Sequence, residues 1–146
     1  MAVTTRHWRS ERGAELIEFA VVVPILLFLI AGIIDFGMMF RTYEAVTNAA
    51  REGARVGVLP GYAPVDVQSR VDAYLTASGL TGPHTTTVVN LPVATTAGTF
   101  TARAVTLNYT YQFVVLGGFA PAFGGTFGTV TLNAVSVMRT EAQAAP

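Results

Sequence analysis

The sequence contains no cysteine and no lysine, and only 12% of its residues are charged. Without cysteine the chain can form no disulfide and offers no thiolate for catalysis or metal binding. Nine basic residues balance nine acidic ones, and no basic cluster provides the surface typical of proteins that bind nucleic acids. We therefore expect no nucleic-acid partner, and a folded part of the chain that is stabilised by its core alone.

Residues suited to catalysis are also scarce. The chain has two histidines, and only His84 lies beyond the long apolar segment described below, together with three serines: Ser69, Ser78 and Ser136. The glycine pairs are not followed by the helix and lysine of a phosphate-binding loop. We expect no enzymatic activity, no metal, no cofactor and no small-molecule substrate.

Charge is absent from one long segment near the amino terminus. Residues 19–34 carry no charge, and Asp35 is the only charged residue between them and Phe40. A helix over residues 19–40 would be about 33 Å long, enough to cross a hydrocarbon core of about 30 Å. Its Leu, Ile, Val and Phe residues favour insertion by about 5 kcal/mol, more than the cost of one acid near its end. The pattern predicts a transmembrane helix over residues 14–40.

The flanking charges predict its orientation. Three arginines precede the apolar segment, whereas Arg41 and Glu44 after it nearly balance. This bias places the amino terminus in the cytoplasm and residues 41–146 outside, in a single-pass protein of the cytoplasmic membrane. The segment is longer than the apolar core of a secretory signal and lacks an A-x-A cleavage site, so we expect it to remain attached.

The sequence of residues 41–146 predicts a mixture of helices and strands. The first helix is expected to continue until Pro60, and Pro64 begins a short amphipathic helix that stops at Gly79. Its apolar face consists of Val67, Val71, Tyr74 and Leu75. These patterns predict a long amino-terminal helix that continues outward, followed by a short second helix.

Three strands are predicted after the helices. The β-branched residues 85–91 favour a strand, and a flexible stretch is expected after them. Residues 105–113 alternate between apolar and polar side chains, which is the clearest strand pattern in the chain, and residues 130–138 form a third strand. The fold class is therefore expected to be α+β, with a small antiparallel sheet of about three strands.

Small residues recur every four positions in the outer part of the first helix, at Ala45, Ala49, Gly53 and Gly57. Residues at this spacing share one helix face and allow another backbone to approach closely. Each glycine costs about 1 kcal/mol against alanine in a helix interior, which favours a packing role. This face packs on its own domain or on a neighbouring subunit, and the two can coexist.

Three phenylalanines, Phe119, Phe123 and Phe127, lie among glycines between the last two strands. Exposed together, they would form an apolar contact patch. Buried beneath the sheet, they would instead be part of the hydrophobic core. Both interpretations are open at this point.

Three residues of the apolar segment need separate explanations. Glu18 lies at its start, where a carboxylate can extend to the interface or interact with the helix dipole. Pro24 removes one helical hydrogen bond and either kinks the helix or is tolerated in it. Asp35 is interpreted as a solvated interfacial charge or as half of an ion pair with a partner helix.

The residues around Glu18 allow another interpretation. "RGAELIEF" resembles the processing site of class III secretory precursors, the type IV prepilins and pseudopilins. "RGAELIEFAVVVPILLFLIAGIIDFGMMF", "NAAREGARVGV" and the closing "VSVMRTE" together resemble the TadE/TadG-like family of the tight-adherence (Flp) pilus machinery. The resemblance is strong over residues 12–57 and extends to the rest of the chain only in its order of helices and strands.

The resemblance implies a processing site and partners. A prepilin peptidase would cut between Gly13 and Ala14 and remove a cytoplasmic leader of residues 1–13, so that Glu18 and Phe19 become the fifth and sixth mature residues. The resemblance also implies that the new amino-terminal amine pairs with the glutamate of an adjacent subunit. The implied partners are the membrane, this peptidase, other pilin or pseudopilin subunits and Tad assembly proteins.

The implied function is that of a minor pilin or pseudopilin that starts, caps or stabilises a Flp pilus. Two alternatives remain. One is an unprocessed single-pass protein whose outer domain binds something at the cell surface. The other is the major filament subunit, although Flp pilins are much shorter than this chain.

Overall fold

The structure, a computed structural model, describes residues 8–96, 98–119, 121, 124–126 and 128–140. Three helices and one three-stranded sheet make up this part of the chain. In chain order they are α1 (Trp8–Gly57), α2 (Pro64–Ala77), β1 (His84–Thr95), β2 (Gly98–Gln112), α3 (Val115–Phe119) and β3 (Thr129–Arg139). The predicted α+β class is confirmed.

The helix α1 is the longest element, with 50 residues, which corresponds to about 75 Å. It runs without interruption through Pro24. In the described part of the chain it is the one helix long and apolar enough to cross a membrane, with a mean hydropathy of 2.8 over its most apolar window. Only 6% of that apolar stretch is buried inside the chain. The first half of α1 is therefore mostly exposed, whereas residues of the second half are buried in the core.

The sheet is antiparallel in the order β1-β2-β3. The hairpin between β1 and β2 closes at the pair Thr95 and Gly98. The flexible stretch expected after residue 91 is therefore wrong, because residues 92–95 pair with residues 98–101. Cross-strand pairing overrides the weak local propensity of this segment, and Pro92 is tolerated because β1 is an edge strand.

The core lies between the sheet and the two longer helices. The alternation predicted for the central strand is confirmed: Val105 and Leu107 are fully buried, and Tyr109 and Tyr111 nearly so. Other fully or almost fully buried core residues come from the helices, namely Val46, Ala49, Ala50, Ala54, Val67, Val71 and Leu75. The outer half of α1 thus supplies one wall of the core.

The ends of α2 show why it spans these residues. At its start the Asp66 carboxylate accepts a hydrogen bond of 2.8 Å from the Ala63 N–H. At its end Gly79 adopts a φ of +76°, and the N–H of Leu80 donates to the carbonyl of Leu75 at 2.9 Å. This is the glycine stop that the sequence predicts, because a residue with a side chain is strained in the left-handed region.

A close approach joins α1 to α2. A Cβ atom placed on Gly53 would lie 2.6 Å from Cγ2 of Val71, which is fully buried. Beside this contact, the Glu52 carboxylate accepts hydrogen bonds from Arg55 at 2.7 Å and from Arg70 of α2 at 2.8 Å. These two guanidinium groups lower the pKa of Glu52 to about 2, so the carboxylate remains charged over the physiological range.

Replacing Gly53 with alanine tests the close approach. Overpacking a core lowers the free energy of unfolding by about 1 to 3 kcal/mol. Replacing a glycine inside a helix with alanine raises it by about 1 kcal/mol. We expect G53A to lower the free energy of unfolding by about 1 kcal/mol, measured by urea unfolding of the full chain in detergent. G37A is the matched control, since a Cβ at Gly37 meets nothing within 4 Å. A Gly53 variant as stable as the control would contradict the packing.

Candidate functional site

The residues of the predicted processing site lie near the start of α1. Ala14, Glu18 and Phe19 are exposed, Phe19 to 67%. A Cβ placed on Gly13 meets nothing within 4 Å. The backbone is helical through the whole site, and its side chains remain accessible to a peptidase, a lipid or a neighbouring helix.

The part of α1 that follows presents large apolar side chains outward. Those exposed by more than 40% between residues 16 and 34 are Leu16, Ile17, Phe19, Val21, Val22, Ile25, Leu26, Leu27, Phe28, Leu29, Ile30, Ile33 and Ile34. We call this set the apolar belt. An apolar surface this extensive is unfavourable in water and is typical of contact with lipid or with other helices.

The small residues of α1 lie mostly against the chain's own domain. Ala49 is fully buried, Gly53 contacts α2, and a Cβ on Gly57 would lie 2.8 Å from Cδ of Arg103. Ala45 is half-buried and lines an open groove of about 360 Å³. Packing on the chain's own domain is therefore present at three of the four positions, and Ala45 alone faces a groove.

The phenylalanine patch is described at one residue only. Phe119 ends α3 and is 38% exposed. Phe123 and Phe127 lie outside the described residues. The patch as a whole therefore stays a prediction.

Both interpretations of Asp35 are wrong. The residue is neither solvated nor accessible to a partner helix, because its side chain is fully buried within this chain. One carboxylate oxygen accepts hydrogen bonds of 3.1 Å from the N–H groups of Val114 and Val115, and the other accepts one of 2.6 Å from Leu116. Asp35 therefore caps the start of α3 from the side of α1.

A second bond fixes the same junction. The Tyr111 hydroxyl, at the end of β2, donates to the backbone carbonyl of Asp35 at 3.2 Å. Burial, and secondly the charge of the Asp35 carboxylate, raise the pKa of this hydroxyl. The rings of Phe36 and Phe113 pack edge to face nearby, with centroids 6.3 Å apart. The sheet and α3 are thus joined to α1 at one level of the helix.

The Asp35 side chain acts as the N-terminal cap that the residues just before α3 do not provide. Helices commonly begin after Ser, Thr, Asp or Asn, whose oxygen accepts the first free N–H groups. The residue before α3 is Val114, which has no such oxygen. Hydrogen bonds from N–H groups to a charged carboxylate are among the stronger ones in proteins, so Asp35 stabilises a turn of five residues that would not persist alone.

Sequence reasoning missed this contact, although two signals bear on it. One is an acid in an otherwise apolar segment, and the other is an apolar turn without its own capping residue. Neither identifies the partner, because 79 to 81 residues separate Asp35 from the N–H groups that it accepts.

His84 and Asp72 form a further polar contact of the outer domain. Among the described residues no group of three or more His, Asp or Glu residues lies together in a way that could hold a metal. His84 Nε2 lies 2.9 Å from a carboxylate oxygen of Asp72. The hydrogen bond to the Gly82 carbonyl, followed by that to Asp72, raises the pKa of His84 against the opposing effect of burial.

Replacing Asp35 with alanine tests the cap. The change leaves three N–H groups without their acceptor, at a cost of at least about 2 kcal/mol. Hydrogen exchange of the peptide containing residues 113–119 should then be faster by about 30-fold, measured by mass spectrometry on the full chain in detergent. D35N retains one oxygen acceptor and should give an intermediate rate. E44A, at an exposed acid of the same helix, is the control, and an unchanged rate in D35A would refute the cap.

Comparison with known proteins finds a similarity confined to the first helix. Residues 13–55 match the family model described as TadE-like protein. No curated protein and no solved structure matches the chain. The matched residues all lie in α1, where they include the predicted cut, the apolar belt, Asp35 and most of the small-residue face. The resemblance expected from the sequence is confirmed over this helix, which is similar to that of the TadE-like proteins of Tad pilus systems.

Proposed function

We propose that this chain is a membrane-anchored minor pilin or pseudopilin that supports assembly of a Tad (Flp) pilus. The observation that carries the proposal is the division of α1. Its first half exposes the apolar belt, while its second half is built into an α+β domain, and the TadE-like match over residues 13–55 covers both halves. A subunit that is anchored by one helix and presents a folded head outside the bilayer needs this division.

The apolar belt supports lateral association as well as insertion. Helices in a bilayer associate through close packing and through polar groups that find partners there. Once residues 1–13 are removed, the Ala14 amine and the Glu18 carboxylate lie four residues apart on one helix face. An unpaired carboxylate in a low dielectric costs several kcal/mol, so the glutamate favours a neighbour that brings an amine to it.

This pairing sets the stagger of adjacent helices. If the Ala14 amine of one subunit is level with Glu18 of the next, the two helices are offset by about 6 Å along their axes. Glu18 then sets the axial register of neighbouring subunits during assembly. The function consists of packing and alignment, and the proposal includes no catalytic step, cofactor or metal.

A first experiment tests the cut. G13L, co-expressed with a prepilin peptidase, should retain its first 13 residues, whereas the parent chain should lose them and begin at Ala14, as seen by intact-mass measurement. The fold should not change, because a Cβ at Gly13 meets nothing within 4 Å. G37L is the matched control on the same helix and should be cut normally.

The outcome also separates this proposal from its alternative. Cutting of G13L at the same bond would refute the site. A parent chain that keeps its leader in the presence of the peptidase would instead favour the unprocessed single-pass protein with a surface-binding domain.

A second experiment separates alignment from processing. E18Q should still be cut, but it should be recovered with sheared filaments at a level at least about tenfold lower than the parent, because a neutral side chain no longer favours the charged amine. E15Q is the control, since Glu15 is also an exposed acid and lies beside the predicted cut.

Normal recovery of E18Q with the filaments would contradict the proposed role of Glu18 in aligning neighbouring subunits. Quantifying the parent chain in the same filaments distinguishes a minor component from the major subunit, since the proposal expects few copies per filament.

A further inference from the structure

We propose that residues 113–119, which comprise α3 and the two residues before it, lie in the outer lipid–water interface and bind the lipid surface. We call residues 113–119 the interfacial segment. The inference rests on the proposed insertion of α1 in a membrane and adds a second, shallow contact between the outer domain and the same bilayer.

The level of the segment along α1 is the first support. Asp35, to which the segment is hydrogen-bonded, lies about 32 Å along the helix axis from Ala14 and about 26 Å from Glu18. The hydrocarbon core is about 30 Å thick. With Ala14 and Glu18 at the inner boundary, Asp35 and the segment bound to it lie at the outer boundary.

The burial of Ala31 shows that the buried face of α1 begins one turn before Asp35. Ala31 is only 2% exposed, although it lies among residues of the apolar belt, where Ile30 is 43% and Ile33 is 66% exposed. It lies one helical turn below Asp35 on the same face, and this is the face on which α3 packs. The buried face of α1 therefore extends to a level about 6 Å inside that of Asp35.

The chemistry of the segment suits lipid. The sequence has no charged residue between Arg103 and Arg139. Within the segment Val114 is 67% and Phe119 is 38% exposed, and Phe36 on the adjacent part of α1 is 51% exposed. These exposed apolar side chains follow the apolar belt on the side toward the domain.

The capping bonds of Asp35 supply what the interface requires of the backbone. Where water is scarce, each unpaired N–H group costs several kcal/mol, and irregular backbone is tolerated only when its groups are satisfied by the protein. In an aqueous loop, water would satisfy the N–H groups of Val114, Val115 and Leu116. A fully buried carboxylate that accepts all three is the arrangement needed by a segment placed against lipid.

Single tryptophans test the depth of the segment. Trp8 is the only tryptophan of the chain, so W8F provides a background for three aromatic replacements. F119W reports the segment, F28W reports the middle of the apolar belt, and Y62W reports the far end of the outer domain. The full chain is reconstituted in phosphatidylcholine vesicles whose acyl chains carry bromine at shallow or at deep carbons, and fluorescence quenching is measured.

We expect F119W to be blue-shifted and quenched most by shallow bromines, F28W most by deep bromines, and Y62W by neither. Quenching of F119W no greater than that of Y62W overturns the interfacial contact, and this includes the case in which a neighbouring subunit covers the segment. If F28W is quenched at the same time, insertion of α1 stands and only the present inference fails. If F28W is also unquenched, the membrane anchor itself fails.

Discussion

Burial of apolar side chains against the outer half of α1 is the interaction on which the outer domain depends. A sheet of three strands has one inner face, and α2 alone covers only part of it. Val46, Ala49, Ala50 and Ala54 of α1 complete the core. Because the same helix continues without a break into the apolar belt, the belt and one side of the domain core belong to a single helix.

Small residues make this arrangement possible. Gly53 allows Val71 to approach the helix backbone, and Gly57 does the same for the side chain of Arg103. Larger residues there would separate α1 from α2 and from the sheet. The cost in helix stability is about 1 kcal/mol for each glycine, and it is offset by the burial that close packing allows.

Asp35 makes a second connection, at the lower edge of the domain. Its carboxylate accepts bonds from three consecutive N–H groups, and its carbonyl accepts one from Tyr111. The bonds hold α3 and the end of β2 at one level of α1, directly above the apolar belt. The distance between the predicted processing site and the domain is therefore set by the helix and not by a flexible linker, which suits the proposed alignment of neighbouring subunits through Glu18.

The sequence by itself determined the elements whose signals are local. The apolar run, the period of α2 with its glycine stop and the alternation along β2 each follow from contacts between near neighbours or from a single buried face. The tertiary structure decided the rest. It extended β1 and β2 through a stretch without strong propensity, and it buried three of the four small residues within the chain. It also converted Asp35 from an expected surface charge into the cap of α3. These outcomes depend on groups far apart in the sequence, about 80 residues in the case of Asp35, and hydrogen bonds at that separation leave no periodic pattern along the chain.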